Sequence, residues 1–508
     1  MKNLLNSRAI VISTLPLLVA LIHIKLATSH IIGNDEGVAL YTGRVILEGG
    51  APYVDSWDHK GPILYLLNAF GLWLSPGALW GPGVVEGLFL AFALAVLCHR
   101  LNKVWQPYVV FSTVLAFLGA YYLFLESFNL TESWTLPFQI FAYLIIFQES
   151  NYSHRTLHPK ISYELCKIYF LLGLNFSIIF YVRPNNATGI LLATLALSLI
   201  KHRAVVFYLW IVFISTFIAF STLIFAYLRI NRSINLFIEQ YFIYNFDYSS
   251  VGSISDRIGS LTESIFRFVF SPLPVVLMLA IVFISFDKTT KVKIPYAIVI
   301  GFIGDMISSG LSTRGYLHYM IVTLPSLIFI LGNLHSSLKN RQSKFRHFIN
   351  AALLAFIVVG AVLGPQKISE RFQDDPGNMA GITKFLNSNT NPLDSVQILG
   401  SETRVLVLAN RQSASSLTYS HPATSYFYRN QVAAIETLES DIKERRPKYI
   451  LRSTSGACKL DNASCEISGR SYREDKLKNL YLWVLNNYKR VGIIGAYEIW
   501  QSKLLNED

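Results

Sequence analysis

Residues 9–62 read AIVISTLPLLVALIHIKLATSHIIGNDEGVALYTGRVILEGGAPYVDSWDHKGP and hold both the mark of a membrane protein and its candidate chemistry. The opening run, residues 9–29, is long and apolar enough to cross a bilayer, since about 20 helical residues at 1.5 Å rise cover roughly 30 Å of hydrocarbon. Lys2 and Arg8 precede it and no small-residue cleavage signature closes it, so it reads as a retained anchor with a cytoplasmic N-terminus. The loop that follows then emerges outside, with Asp35 and Glu36 near its start and His59, Lys60, Gly61 and Pro62 at its end. A carboxylate pair and a cation are thereby delivered to one membrane surface.

The rest of the chain agrees. Of its 508 residues, 52% are hydrophobic and 15% charged, against about 25% charged in soluble proteins. That composition excludes a soluble globular protein and implies an α-helical polytopic one. Apolar runs predict further spans near 80–98, 104–125, 134–148, 168–183, 186–200, 204–228, 268–286, 294–310, 319–334 and 348–364, about eleven in all with the first. The run 61–76 is apolar too, but counting it as a span would turn every later loop inside out. The loops with Arg100 and Lys103, Arg155 and Lys160, Lys201 and Arg203, Lys288 to Lys293, and Lys339 to Arg346 would then lie outside. The positive-inside rule places them inside, so 61–76 reads as a juxtamembrane helix on the outer surface. The net charge of +12 then reflects anchoring beside anionic membrane lipids. With no basic-aromatic tract, no nucleic-acid partner is expected.

Past Gly364 the pattern changes. Residues 365–508 are polar, with helical stretches near 378–388, 432–446 and 473–488 alternating with strand-like 394–400, 447–453 and 491–500. The expectation is an α-helical membrane module over 1–364, with a first outer loop over 30–79, and a small extracytoplasmic α/β domain over 365–508. Cys458 and Cys465 lie in a polar loop of that domain, where a disulfide could persist. Spacing alone leaves unpaired thiols open as well. Cys98 and Cys166 fall at cytoplasmic span ends and should stay reduced.

In the first outer loop, Asn34, Asp35 and Glu36 open a helical pattern in which Val38, Tyr41 and Val45 share a face and Gly49-Gly50 stops it. A structural reading suffices for the triplet, with asparagine capping the first turn and the carboxylates complementing the helix dipole. The same geometry would hold Asp35 rigidly at the membrane surface. Lys60 falls at headgroup depth, where it either snorkels towards lipid or binds the phosphate of a lipid-linked substrate as a point charge. Asp58 either pairs with Lys60, caps the following helix or rivals Asp35 as a base. Glu126 and Glu132, in the second outer loop, either cap the next span or help bind an acceptor or a metal. Arg183 joins two spans in the same plane, and Arg314 and His318 sit four apart before an apolar run. No cluster has the Cys/His spacing of a zinc site, and no Gly-rich nucleotide loop precedes a helix.

These residues resemble a known family. Asp35-Glu36 with a tyrosine a few residues on, then Lys60-Gly61-Pro62 leading into a Leu/Tyr-rich helix, is similar to the first outer loop of the GT-C glycosyltransferases. The branch is that of protein O-mannosyltransferases and bacterial aminoarabinose transferases. Glu126 to Glu132, and the run from Ser312 through Arg314, Tyr316 and His318 to Tyr319 ahead of Pro325, resemble later outer-loop motifs. Gly61 departs from the pattern, because that branch has the first proline of a Lys-Pro-Pro element there.

The resemblance implies a polyprenyl-phosphate sugar donor, an acceptor hydroxyl on a glycan, lipid or protein, no cofactor beyond an optional divalent cation, and a bacterial plasma (inner) membrane. A glycosidase needs two carboxylates because its leaving group must be protonated. A phosphate leaving group is already a weak base, so one general base and surrounding cations suffice. The implied roles are Asp35 as that base, Glu36 tuning it or orienting the acceptor, and Lys60, Arg314 and His318 stabilising the departing phosphate. Glu132 and Asp58 would contact the acceptor or a metal, and direct attack would invert the anomeric centre. Two rivals stand beside this reading. A transporter or flippase for a lipid-linked glycan would place ionisable groups mid-membrane, where Asp305 is the main example. An envelope-glycan polymerase or ligase would use the same kind of donor.

Overall fold

The computed structural model describes residues 8–28, 32–152, 162–199, 201, 203–269, 295–310, 316–337, 378–425, 427–454, 458–459, 464–465 and 474–506. The expected spans near 268–286 and 348–364, the boundary at 364, and Arg314 lie largely or wholly outside them.

Helix α1, Arg8–Ala27, leads to α2, Asn34–Leu47, and α3, Pro62–Leu74. The bundle continues with α4 Gly81–Leu101, α5 Pro107–Phe124, α6 Thr131–Tyr152, α7 Tyr163–Val182, α8 Thr188–Ser198 and α9 Arg203–Ile230. Among the described residues five helices are long and apolar enough to cross a membrane: Gly81–Leu101, Pro107–Phe124, Tyr163–Val182, Val205–Ile230 and Leu317–Ser336. The chain is a multi-pass membrane protein. Val205–Ile230 exposes Phe207, Ile211, Ile214, Ile218 and Leu223, as a helix facing lipid does. By contrast α3 has 13 residues and rises about 20 Å, short of the hydrocarbon core. It packs on α2 instead.

Three local expectations are corrected. Asn34 does not cap α2: the cap is Gly33 in extended conformation, its N–H donates to Glu36 Oε2 at 3.2 Å, and Asn34 reaches Glu402 at 3.2 Å. Residues 491–500 are not one strand but part of a hairpin, β6 Tyr488–Ile494 and β7 Tyr497–Ser502, reversing at Gly495, whose φ is +55°. A glycine takes that conformation without the Cβ penalty, and the turn interrupts what reads as one apolar run. Third, the span expected over 186–200 is only 11 residues of α-helix, preceded by a 3-10 turn, Pro184–Ala187.

After α9, a π-helical stretch, Ile238–Ile243, runs into α10, Tyr244–Ser250, and then α11, Ile254–Val269. Helix α12, Tyr296–Ser309, packs on α8. Its Asp305 is fully buried, accepts a hydrogen bond from Tyr143 at 2.5 Å, and fits only because Gly189 has no Cβ, which would stand 2.0 Å from Oδ1. That carboxylate is a packed member of the bundle. Helix α13, Leu324–Ser337, completes the described membrane part.

The C-terminal part is a five-stranded sheet, order β2-β1-β3-β7-β6, with α14 Met379–Asn389, α15 Gln431–Arg445 and α16 Glu474–Asn487. Strands β1 Ser395–Leu399, β2 Gln412–Ser413 and β3 Tyr449–Ser453 run parallel, and β7 is antiparallel to β3 and β6. A separate ladder, β4 Cys458–Lys459 with β5 Ser464–Cys465, puts the two cysteine backbones opposite one another. Their side chains lie outside what is described.

This part is seated on α2. A Cβ at Gly37 would stand 2.7 Å from the Arg404 backbone. Arg44 donates to Leu406 O, Asn410 Oδ1 and Arg411 O at 3.3, 2.9 and 2.6 Å, and Ser413 N–H donates to the Tyr41 hydroxyl at 2.9 Å. The segment that carries Asp35 is therefore held against the C-terminal part.

Candidate active site

Between the first outer loop, the start of α10 and the C-terminal part lies a cavity of about 830 Å³ whose walls include Asp35, Lys60, Arg183, Arg257, His318 and Tyr419. Asp35 enters it from the first turn of α2, its side chain 55% accessible. Lys60 stands opposite, Nζ 3.5 Å from Asp35 Oδ1 and 3.5 Å from Asp58 Oδ2.

The backbone that carries Lys60 is clamped. Tyr53 donates to Lys60 O at 2.8 Å, and Lys60 N–H donates to the Tyr65 hydroxyl at 3.2 Å. Tyr53 is 1% exposed with φ +70°, a conformation costing about 1–3 kcal/mol for a non-glycine and kept only where surrounding packing enforces it. Next to it, Gly61 N–H donates to Val182 O at 3.0 Å, and a Cβ at Gly61 would stand 1.9 Å from Tyr181 O. That contact explains the departure from Lys-Pro-Pro: the loop lies directly on the end of α7, with no room for a side chain and with its N–H in use. Gly61→Ala is expected to cost about 1–3 kcal/mol of stability through overpacking, and Gly61→Pro more, because it also deletes the bond to Val182. Thermal melts of the two variants in detergent check the order.

Charge sets the protonation. The Lys60 ammonium holds the Asp35 carboxyl below the usual carboxylate range, with a smaller contribution from His318. Burial opposes the charge on Lys60, but Asp35 and Asp58 outweigh it and raise its pKa. The pair is thus ionised at neutral pH.

Glu36 is buried and turned away, accepting from Gly33 N–H and, at 3.4 Å, from the Ser127 hydroxyl. Its place is the cap of α2. Asp58 is fully buried behind Lys60. Glu132 is buried against Arg183, whose guanidinium also stacks 4.5 Å from the Tyr319 ring centre. His318 lines the cavity and pairs with Glu126. Among the described residues no group of three or more His, Cys, Asp or Glu could hold a metal ion. Between Asp35 and Asp58 stands the Lys60 ammonium, 3.5 Å from each.

One cation of the cavity carries no signal in the sequence. Lys60, Arg183, His318 and Arg404 each face a carboxylate. Arg257, on α11, donates to Ser249 O at 2.7 Å, its Nε is buried without a partner, and no described carboxylate pairs with it. It is an arginine left available for an anion.

No protein-family model matches the sequence, and no curated protein matches it. Among solved structures it is similar to ArnT from Cupriavidus metallidurans bound to undecaprenyl phosphate, with TM-score 0.56 and 12% identity over 96% of this chain and 97% of that one. The apo state of the same protein gives TM-score 0.57 and 12% identity over 97% and 98%. The fold is GT-C-like. In this GT-C-like chain the motif residues of the first outer loop, Asp35 and Lys60, meet across one cavity wall. Tyr244 and Asn245, from α10, Arg257, from α11, and Tyr419 and His421, from the C-terminal part, complete the walls. No spacing signal in the sequence points to them.

Proposed function

We propose that the chain is a glycosyltransferase that moves a sugar from a polyprenyl-phosphate donor to an acceptor hydroxyl at the outer face of a bacterial plasma membrane. The carrying observation is the Asp35–Lys60 pair, a carboxylate and an ammonium 3.5 Å apart on the wall of the cavity. The likeness of the whole chain to ArnT, which has been seen with undecaprenyl phosphate, supports the donor class.

In this reading the acceptor oxygen attacks the anomeric carbon and its proton passes to Asp35. The bond from that carbon to the phosphate oxygen breaks with its electron pair, and polyprenyl phosphate leaves. Lys60 and Arg257 take the charge that collects on the phosphate, as preorganised cations do, and Arg314 and His318 keep the supporting role implied by the resemblance. The anomeric centre is inverted. The N-terminus is cytoplasmic, and the C-terminal part is extracytoplasmic and covers the acceptor.

The test is transfer of radiolabelled sugar from a panel of polyprenyl-phosphate sugars to outer-face acceptors in proteoliposomes. The reading expects label in a new product and free polyprenyl phosphate in equal amount. Label that crosses the bilayer still attached to its lipid would assign a flippase instead.

A further inference from the structure

We propose that Tyr419, carried by the C-terminal part, is a positioning residue for Lys60: acting through the buried carboxylate of Asp58, it holds the lysine where the donor phosphate has to arrive. The inference rests on the reading of Lys60 as phosphate ligand and deepens it, because it makes the C-terminal part a component of the donor site.

Asp58 is fully buried. A carboxylate out of water keeps its charge only when donors and a counter-charge surround it. Four groups do so here. His59 N–H donates to Oδ1 at 2.8 Å, the Tyr419 hydroxyl to Oδ1 at 3.2 Å and the Tyr65 hydroxyl to Oδ2 at 2.9 Å, while Lys60 stands 3.5 Å from Oδ2. Burial works against the anion, but Lys60 and His59 outweigh it and hold the carboxyl below its usual range.

Tyr419 is delivered by the sheet. Ser420 N–H donates to Gly400 O at 2.9 Å, just past the end of β1, and Trp57 N–H donates to Ser416 O at 2.8 Å. The segment between is therefore tied to the sheet at one end and to the first outer loop at the other. The Tyr419 ring stands edge-on to Trp57, centroids 5.8 Å apart. Burial and the charge on Asp58 push its hydroxyl's pKa far up, so it stays a donor.

The two carboxylates that share Lys60 are not equivalent. Asp35 is 55% accessible from the cavity and Asp58 not at all. An arriving phosphate can replace Asp35 at the ammonium, while the contact with Asp58 persists and fixes where the ammonium sits. Tyr419 and Tyr65, on opposite oxygens of Asp58, set the orientation of that carboxylate.

Tyr419→Phe removes one hydroxyl and keeps the ring. Donor KM is expected to rise about tenfold, the scale of one hydrogen bond to a charged group, with kcat within about twofold. In an Asp58→Asn background the same substitution is expected to leave donor KM nearly unchanged, because there is no longer a charge for the hydroxyl to hold. An unchanged donor KM in folded Tyr419→Phe, or equal increments in both backgrounds, overturns the proposal. If Tyr419→Phe does not fold, Tyr419→Met, whose flexible side chain fills irregular space, carries the same expectation. Lys60→Met separates the two readings: if it leaves donor KM unchanged the phosphate assignment fails, and if it raises KM while loss of the Tyr419 hydroxyl does not, only this inference fails.

Discussion

Asp35→Asn is expected to lower sugar transfer about a hundred- to ten-thousandfold, the range over which a positioned general base contributes, while the protein still folds and still binds donor. The fold should tolerate the change because the side chain is 55% accessible and its ion pair with Lys60 spans 3.5 Å. The structural loss is limited to favourable charge at the first turn of α2, about 0.3–1 kcal/mol. Binding carries the sharper expectation. With Asp35 neutral, Lys60 has one fewer anion competing with the donor, so polyprenyl phosphate should bind the variant at least as tightly as wild type. Loss of transfer together with loss of binding would move Asp35 from the chemistry to the architecture of the site. Asp35→Glu should recover little, since the longer side chain carries the carboxylate into Lys60 instead of towards an acceptor.

The second large effect is expected at Lys60. Lys60→Met should reduce kcat/KM for the donor about a hundred- to a thousandfold, as loss of one preorganised charge partner does. It should also change the pH profile, with a sign that follows from the charges. Lys60 is the largest influence holding the Asp35 carboxyl below its usual range. In wild type the base is therefore deprotonated throughout the neutral range, and the acid limb of kcat/KM lies below the ordinary carboxylate pKa, about 3.9 for aspartate. Without Lys60 that carboxyl's pKa rises and the limb moves to higher pH. Removing the lysine also leaves Asp58 buried with one fewer counter-charge, which by itself destabilises a protein by about 3–5 kcal/mol when a buried pair is broken. Lys60→Met/Asp58→Asn should recover the fold without recovering transfer, separating stability from chemistry.

The parts of this molecule legible in the sequence are those governed by composition and local periodicity. Apolar runs announced α1, α4, α5, α7 and α9, and the motif of the first outer loop pointed to a GT-C-like fold. The proposal that Asp35 and Lys60 act together came from that loop, and the structure brings the two within 3.5 Å. What was hidden depends on contacts between distant segments. Gly33 caps α2 because Glu36 returns to its N–H, which leaves Asn34 free to reach Glu402, 368 residues away. Tyr53 at positive φ follows no propensity, because it is imposed by burial and by its bond to Lys60. Gly61 reads as a defect in a motif until α7 is placed against it. Arg257 could not be singled out from the sequence, since what makes it distinctive is that, among the described residues, Lys60, Arg183 and Arg404 on the same cavity each face a carboxylate and it does not. Tyr419 is invisible for the same reason: 361 residues separate it from Asp58, and only docking of the C-terminal part brings them together.

The stereochemistry of the product tests the central claim most directly. Transfer from a polyprenyl-phosphate sugar of known anomeric configuration, followed by NMR of the product linkage, should show inversion, because one base and a phosphate leaving group call for a single direct displacement. Retention, with a sugar trapped on Asp35 as a covalent intermediate, would contradict the account.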